Sequence, residues 1–208
     1  MNALAFALLA AVNLAAYEPV NTTMKVATYR GRQAVQLVRL PDSQAESMLA
    51  IVKDRTLKDG TIEVDVAGLP RPDAPPDSRG FIGLAFHVEG GGERFECIYV
   101  RPTNARADDQ LRRNHSTQYV AHPDAPWHEL RKSDPGKYES YVDMEAGAWT
   151  KLKIVIAGTT AKLYVNGAAQ PCLVIKDLKH GGAGGGIALW SHMWTDGYFS
   201  NLKIEPSR

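Results

Sequence analysis

Residues 61 to 66 read Thr-Ile-Glu-Val-Asp-Val, and this alternation decides the fold class: Ile62, Val64 and Val66 fall on one side of an extended chain, Thr61, Glu63 and Asp65 on the other. A period of two means a strand with one dry face and one wet face. The period recurs downstream. Residues 151 to 156 turn Leu152, Ile154 and Ile156 inward, and residues 161 to 165 set Ala161, Leu163 and Val165 against Lys162 and Tyr164. Asn166-Gly167 follows, a pair that tolerates the positive φ of a two-residue hairpin, so this strand is expected to pair antiparallel with residues 172 to 175. Residues 81 to 88, 95 to 101, 187 to 192 and 198 to 204 bring the candidates to at least eight.

Many short strands punctuated by Gly and Pro, with no convincing amphipathic helix, specify an all-β protein: a two-sheet antiparallel jelly-roll sandwich. Residues 17 to 208 are expected to form one such domain. Residues 69 to 76 carry four prolines and read as an irregular surface loop. Residues 181 to 186, with five glycines in six positions, read as a flexible connection. They do not read as a phosphate cradle, because the strand-like Ile187-Ala188-Leu189-Trp190 follows where a helix would be needed.

Composition narrows the function. The 208 residues hold 24 Lys and Arg against 23 Asp and Glu, a net charge of +1, and 44% are hydrophobic. With no basic run, a nucleic-acid partner held by phosphate neutralisation is not expected. No stretch reaches the roughly 18 apolar residues of a membrane-spanning helix. Residues 1 to 12 are apolar except for Asn2, and Ala15 and Ala16 follow, as in a secretory signal that lacks its charged start. A secreted or periplasmic location is therefore expected. There Cys97 and Cys172 could form a bridge, or both could stay free and buried. No cofactor and no metal are expected: two cysteines do not make a zinc cluster, and Asp108-Asp109 alone offers calcium too few oxygens.

Residues 101 to 141 break the regular texture. They have few apolar positions and little periodicity, with seven Lys or Arg against six Asp or Glu, and read as a long polar loop insertion. Forked guanidinium donors, amides, imidazoles and flat rings are what a sugar needs: donors for its hydroxyls and a face to stack on.

Four segments carry a resemblance: Gly80-Phe81-Ile82-Gly83-Leu84-Ala85-Phe86, Glu96-Cys97-Ile98-Tyr99-Val100-Arg101-Pro102, Tyr164-Val165-Asn166-Gly167 and Tyr198-Phe199-Ser200-Asn201-Leu202-Lys203-Ile204. Over roughly residues 50 to 205 the chain resembles a bacterial member of the concanavalin A-like lectin and glucanase superfamily. It looks closest to laminin-G-like domains and to the bacterial family of 3-keto-disaccharide hydrolases. The resemblance implies a sandwich with one concave sheet and extracytoplasmic carbohydrate as ligand. It also implies that Trp149 packs in the core. The paired acids of the glucanases are missing; Glu63 and Asp65, about 7 Å apart by strand rise, read better as the wet side of their strand.

The expected function is thus an extracytoplasmic carbohydrate-binding domain, with Arg101, Asn104, Arg112, Gln118, Trp190, His192 and Tyr198 touching the sugar. Trp190 and His192 share one strand face, though Trp190 could equally fill the space between the sheets. The alternative is a glycan-cleaving hydrolase or lyase, acting for instance on 3-keto-glycosides or uronates. In it His115 or Tyr119 is the base, Arg113 or Arg101 stabilises oxyanion charge, and Arg101, Arg112 or Arg113 neutralises a substrate carboxylate. A third reading makes the polar stretch a protein-docking surface. The oligomeric state is left open.

Overall fold

The computed structural model describes residues 12 to 207, so the proposed signal segment falls almost wholly outside the described residues. Among the described residues fourteen strands form two seven-stranded antiparallel sheets. They are β1 (Tyr17–Val20), β2 (Thr22–Tyr29), β3 (Arg32–Arg39), β4 (Ser47–Leu57), β5 (Gly60–Pro70), β6 (Ile82–Glu89), β7 (Arg94–Val100), β8 (Thr117–His122), β9 (Glu139–Ser140), β10 (Thr150–Ala157), β11 (Thr160–Val165), β12 (Leu173–Ile175), β13 (Gly185–His192) and β14 (Thr195–Pro206). One sheet runs β1-β4-β13-β6-β7-β8-β9 and the other β12-β11-β10-β5-β14-β3-β2. We call them the front and back sheets. The expected jelly-roll sandwich is what the chain forms.

The main core lies between the sheets. Ile62, Val64 and Val66 of β5, Leu152, Ile154 and Ile156 of β10 and Phe199 of β14 face Met48, Ile82, Leu84, Phe86, Ile98 and Leu189 of the front sheet, all buried. Burial at roughly 25 cal/mol per Å² of apolar surface makes this layer the main stabiliser. The wet faces behave as read: Glu63 approaches Lys153 at 3.8 Å and Lys151 at 4.0 Å on the outside of the back sheet.

The front sheet differs, because its outer face is apolar too. Leu49, Ala85, Phe95, Cys97, Tyr99, Ala188 and Trp190 form a second buried cluster there. That is why β6, β7 and β13 read as apolar runs and not as alternating strands.

Several details depart from the sequence reading. The tight hairpin is Gly158-Thr159 between β10 and β11, where Ala157 pairs with Thr160. Asn166 and Gly167 do take positive φ, 51° and 75°, and the amide of Ala168 closes the turn on the carbonyl of Val165 at 3.1 Å. The expected antiparallel pairing with residues 172 to 175 forms, Leu163 opposite Leu173, but across a longer connection than a two-residue turn. Cys97 and Cys172 are both free thiols, Cys97 buried in the front sheet. Residues 101 to 141 are not one loop. They hold three short helices, α1 (Pro102–Ala105), α2 (Gln110–Asn114) and α3 (Trp127–Ser133), and the strands β8 and β9 that complete the front sheet.

The glycine run is a contact rather than a flexible link. A Cβ on Gly185 would lie 2.7 Å from the backbone carbon of His87 in the facing strand, closer than atoms can approach. Gly182 has space, its nearest neighbour being 3.5 Å away, and a negative φ of −85°. Gly185→Ala is therefore expected to cost about 1–3 kcal/mol and Gly182→Ala about 0.5 kcal/mol or less. Thermal melts of the two variants, measured side by side, check this.

Candidate functional site

The cross-strand register of the front sheet assembles one row of residues on its outer face. Leu49 pairs with Trp190, Trp190 with Gly83, Gly83 with Tyr99, Tyr99 with Gln118, and Gln118 with Glu139. Gly83 at the centre offers no side chain, and the Tyr99 and Trp190 rings close over it, stacked with centroids 4.8 Å apart. A Cβ on Gly83 would meet the carbonyl oxygen of Ile98 at 2.3 Å, so only glycine fits. Tyr99 and Trp190 of this row form the floor of a cleft of about 600 Å³, with the rest of the row beneath or beside them.

The walls come from loops and short helices. Asp77, Ser78 and Arg79, Asn104 of α1 and Arg112 of α2, and Trp127 and Arg131 of α3 line it; His192 at the end of β13 and Trp194 just after it complete the lining. Trp190 is anchored by its indole N–H to Ser47 Oγ at 3.0 Å, and the His192 ring meets Phe81 edge-on at 5.3 Å. The pattern of one face shared by Trp190 and His192 is therefore realised on the cleft side of the sheet, not between the sheets. Burial lowers the His192 pKa, so its ring is neutral at pH 7.

Arg101, 5% exposed, is the cation of the floor. It donates to Gln118 Oε1 at 2.9 Å, to the His115 carbonyl at 3.1 Å, to the Tyr99 hydroxyl at 3.3 Å and to Glu139 Oε1 at 3.4 Å. Glu139 is the counter-charge. It accepts from Arg131 Nε at 3.1 Å, again from Arg131 through a terminal guanidinium nitrogen, and lies against Nδ1 of His115. Burial alone would raise the Glu139 pKa. The hydrogen bonds from Arg131 and the charges of Arg101 and Arg131 outweigh it and hold the carboxyl below the usual range. His115 shifts the other way from a free imidazole's contact with a carboxylate: burial, helped by the two arginines, lowers its pKa and leaves it neutral at pH 7. Its Nε2 makes no hydrogen bond among the described residues. The guanidinium of Arg131 also covers the Trp127 ring at 4.8 Å, which holds this 44%-exposed indole at the mouth of the cleft.

The residues singled out in the sequence thus divide. Arg101, Asn104, Arg112, His115, Trp190 and His192 line the cleft. Gln118 lies in the floor row but is fully buried and spent: its amide donates to the carbonyls of Tyr119 at 2.7 Å and Tyr138 at 3.2 Å. Tyr119, one residue on, points through the sheet to the opposite face. Its hydroxyl donates to Glu96 Oε1 at 2.5 Å and accepts from the Lys179 amide at 2.8 Å, while His87 Nδ1 holds the other oxygen of Glu96 at 2.6 Å. Burial, then the Glu96 charge, drives the Tyr119 phenol pKa far up, so it titrates nowhere near neutrality. Arg113 points outside the cleft, donating to the Tyr141 hydroxyl at 3.1 Å. Tyr198 is on the outside of the back sheet, stacked on Tyr29 at 4.0 Å. Trp149, expected in the core, is half-buried beside that pair, its indole donating to the Tyr29 carbonyl at 3.3 Å. Nearby Asp65 is taken up by Arg32 at 2.8 Å and Asn201 at 2.7 Å, which leaves no free acid pair on β5.

The sequence reading gave no role to Glu139, Arg79 or Arg131. Glu139 was legible only as one acid among many in a polar stretch; a buried Arg101 is the signal that demands it. Among the described residues no group of three or more His, Cys, Asp or Glu could hold a metal, and no helix is long and apolar enough to cross a membrane.

No protein-family model matches the chain, and no curated protein matches it. Solved structures do. The carbohydrate-binding module CBM66 from Bacillus subtilis superposes with a TM-score of 0.62 at 14% identity, over 91% of this chain and 95% of that one. A Bacillus subtilis protein of unknown function with a galectin-like fold gives 0.56 at 10% identity, over 92% and 90%. The exoplasmic/lumenal domain of VIP36, bound to Ca²⁺ and Man3GlcNAc, gives 0.55 at 12% identity, over 93% and 84%. At these identities the likeness is one of fold: galectin-like and concanavalin A-like jelly rolls.

The Arg101–Glu139 pair makes a stability prediction. Glu139→Gln removes the neutralising charge from a buried guanidinium and is expected to cost about 2–4 kcal/mol. Because the folded carboxyl titrates below its ordinary value of 4.5, its contribution is complete above that pH and is lost as pH falls through the folded value. Urea denaturation of both proteins between neutral and acid pH should therefore show the gap narrowing at the acid end.

Proposed function

We propose that this chain binds carbohydrate in the cleft of the front sheet and does so outside the cytoplasm. The observation that carries the reading is the composition of one cavity: stacked Tyr99 and Trp190 as floor, Trp127 at the mouth, and guanidinium, amide and imidazole groups around them. Sugar rings bury their C–H faces on aromatic rings and their hydroxyls on planar donors and acceptors, and a rigid strand floor holds both in place. The fold likeness to a carbohydrate-binding module and to a lumenal domain bound to a mannose-containing glycan supports the same ligand class. The apolar opening of the sequence and the lumenal origin of the second neighbour support the location.

Cleavage is the second reading, and the contact of His115 with Glu139 favours it: a neutral imidazole beside a carboxylate, at the lining of the cleft, is equipped to take a proton. A 3-keto-glycoside, whose ketone acidifies the neighbouring C–H, suits such a base. Of the other groups expected for that chemistry, Arg101 and Arg112 line the cleft, Arg101 already bound to Glu139 and Gln118, while Tyr119 and Arg113 are outside it, which favours binding over turnover. A protein-docking surface is favoured less, since the large exposed apolar residues Val26, Leu111, Trp127, Tyr141 and Val174 come from five separate segments.

A glycan array followed by calorimetry tests the reading. Trp127→Ala, at an exposed position, is expected to weaken the retained glycans by about tenfold with little change in melting temperature. Binding unchanged in Trp127→Ala and in Trp190→Phe would overturn the cleft as the site. The wild-type protein is expected to release no product from the glycans it retains; product that disappears in His115→Ala would place cleavage first.

A further inference from the structure

We infer that the saccharide this cleft takes is anionic, its acidic group held between Arg79 and Arg112. The inference rests on the carbohydrate reading above and specifies its ligand. Four arginines line the cleft, and they are not equivalent. Arg101 and Arg131 share Glu139. Arg79 and Arg112 have no carboxylate within 4.0 Å among the described residues. Arg79 uses one terminal nitrogen on the carbonyls of Pro76 at 2.8 Å and Ser78 at 2.9 Å, which fixes its direction and leaves its other donors open. Arg112 makes no side-chain hydrogen bond among the described residues.

Two guanidinium groups with no carboxylate partner beside a third, Arg79 partly withdrawn from water and Arg112 exposed, repel each other. The Arg79 pKa is lowered first by burial and then by the charges of Arg112 and Arg101, against the pull of Asp77. An anion inserted there would relieve the repulsion and gain charge-assisted, forked hydrogen bonds. Next to them Asn104, 5% exposed, has its buried Oδ1 without a partner, an acceptor waiting for a hydroxyl. A carboxylate or sulfate at the arginines and a sugar hydroxyl at Asn104 together describe an acidic sugar, with Trp127 and Trp190 left for neighbouring rings. Carboxylate and sulfate share this chemistry, so the test separates them.

The experiment is calorimetry with uronate oligosaccharides, the same oligosaccharides with methyl-esterified carboxyls, and sulfated oligosaccharides lacking uronate. The wild-type protein is expected to prefer one acidic series over its neutral counterpart by about tenfold or more at about 0.05 M NaCl, with the preference shrinking at about 0.5 M. Arg112→Gln, at an exposed position, and Arg79→Gln are each expected to cut that preference by about fivefold, with melting temperatures reporting that the fold is kept. Equal binding of acid and ester, or a preference untouched in both variants, overturns the anionic ligand while neutral glycans still bound at the cleft keep the carbohydrate reading. Failure of every acidic and neutral oligosaccharide to bind overturns both.

Discussion

The cleft depends on one electrostatic constraint: a guanidinium, that of Arg101, is withdrawn from water at the end of β7 and has to be neutralised where it stands. Glu139 is the group that does so, 38 residues later in the chain. For it to arrive, the polypeptide must leave β7, build α1 and α2, return as β8 along the edge of β7, turn through α3 and finish with β9 against β8. The pairing of Gln118 with Glu139 fixes the last step, and Arg131 and His115 then converge on the same carboxylate. One charge thus ties four segments together and sets the distance between the Trp127 wall and the floor. A neutral floor of the same shape would be cheaper to bury; the charged one dictates which segments can stand around it.

Most of the fold was legible from alternation, and the exceptions share a cause. β5, β10 and β11 have one face on the core and one in water, so a period of two announces them. β8 has the same period, with Thr117, Tyr119 and Ala121 turned to the core, but the residues between them, Gln118 and Val120, face a cleft instead of solvent. Its polar and apolar residues therefore do not sort by face, and the strand vanished into a stretch that looked like loop. The same geometry separates Gln118 from Tyr119. Neighbours in a strand project to opposite sides, so the two could not both reach a ligand once that segment was extended. Tyr198 and Trp149 misled for a related reason: the back sheet has an outer face wide enough for aromatic pairs, and sequence alone does not say which outer face carries a cleft.

The two outer faces differ in how their charges are set. On the back sheet Arg32, Asp65, Lys151, Glu63 and Lys153 interlock, cation to anion, and Arg32 covers the Trp149 ring at 5.3 Å. Such pairs in contact with water contribute little to stability, and these five groups satisfy one another. On the front sheet the buried charges pair among themselves in the floor, while Arg79 and Arg112 in the walls have no carboxylate partner among the described residues. What the back sheet lacks is the stacked aromatic floor of Tyr99 and Trp190 beneath its charges.

The division between floor and walls also fixes what can vary. Trp190, Gly83 and Tyr99 sit in three neighbouring strands whose register is locked by the inner core; sliding any one strand by a residue would turn its core residues, Leu189, Leu84 or Ile98, to the outer face. The walls have no such lock. Residues 77 to 79 hang from a proline-rich loop, and Arg112 and Asn104 ride on helices of five and four residues. A stacking floor that cannot shift, ringed by short segments that can be rewritten without disturbing the sandwich, separates affinity for a sugar ring from selectivity among sugars. The first is built into the sheet; the second is written in the arginines around it.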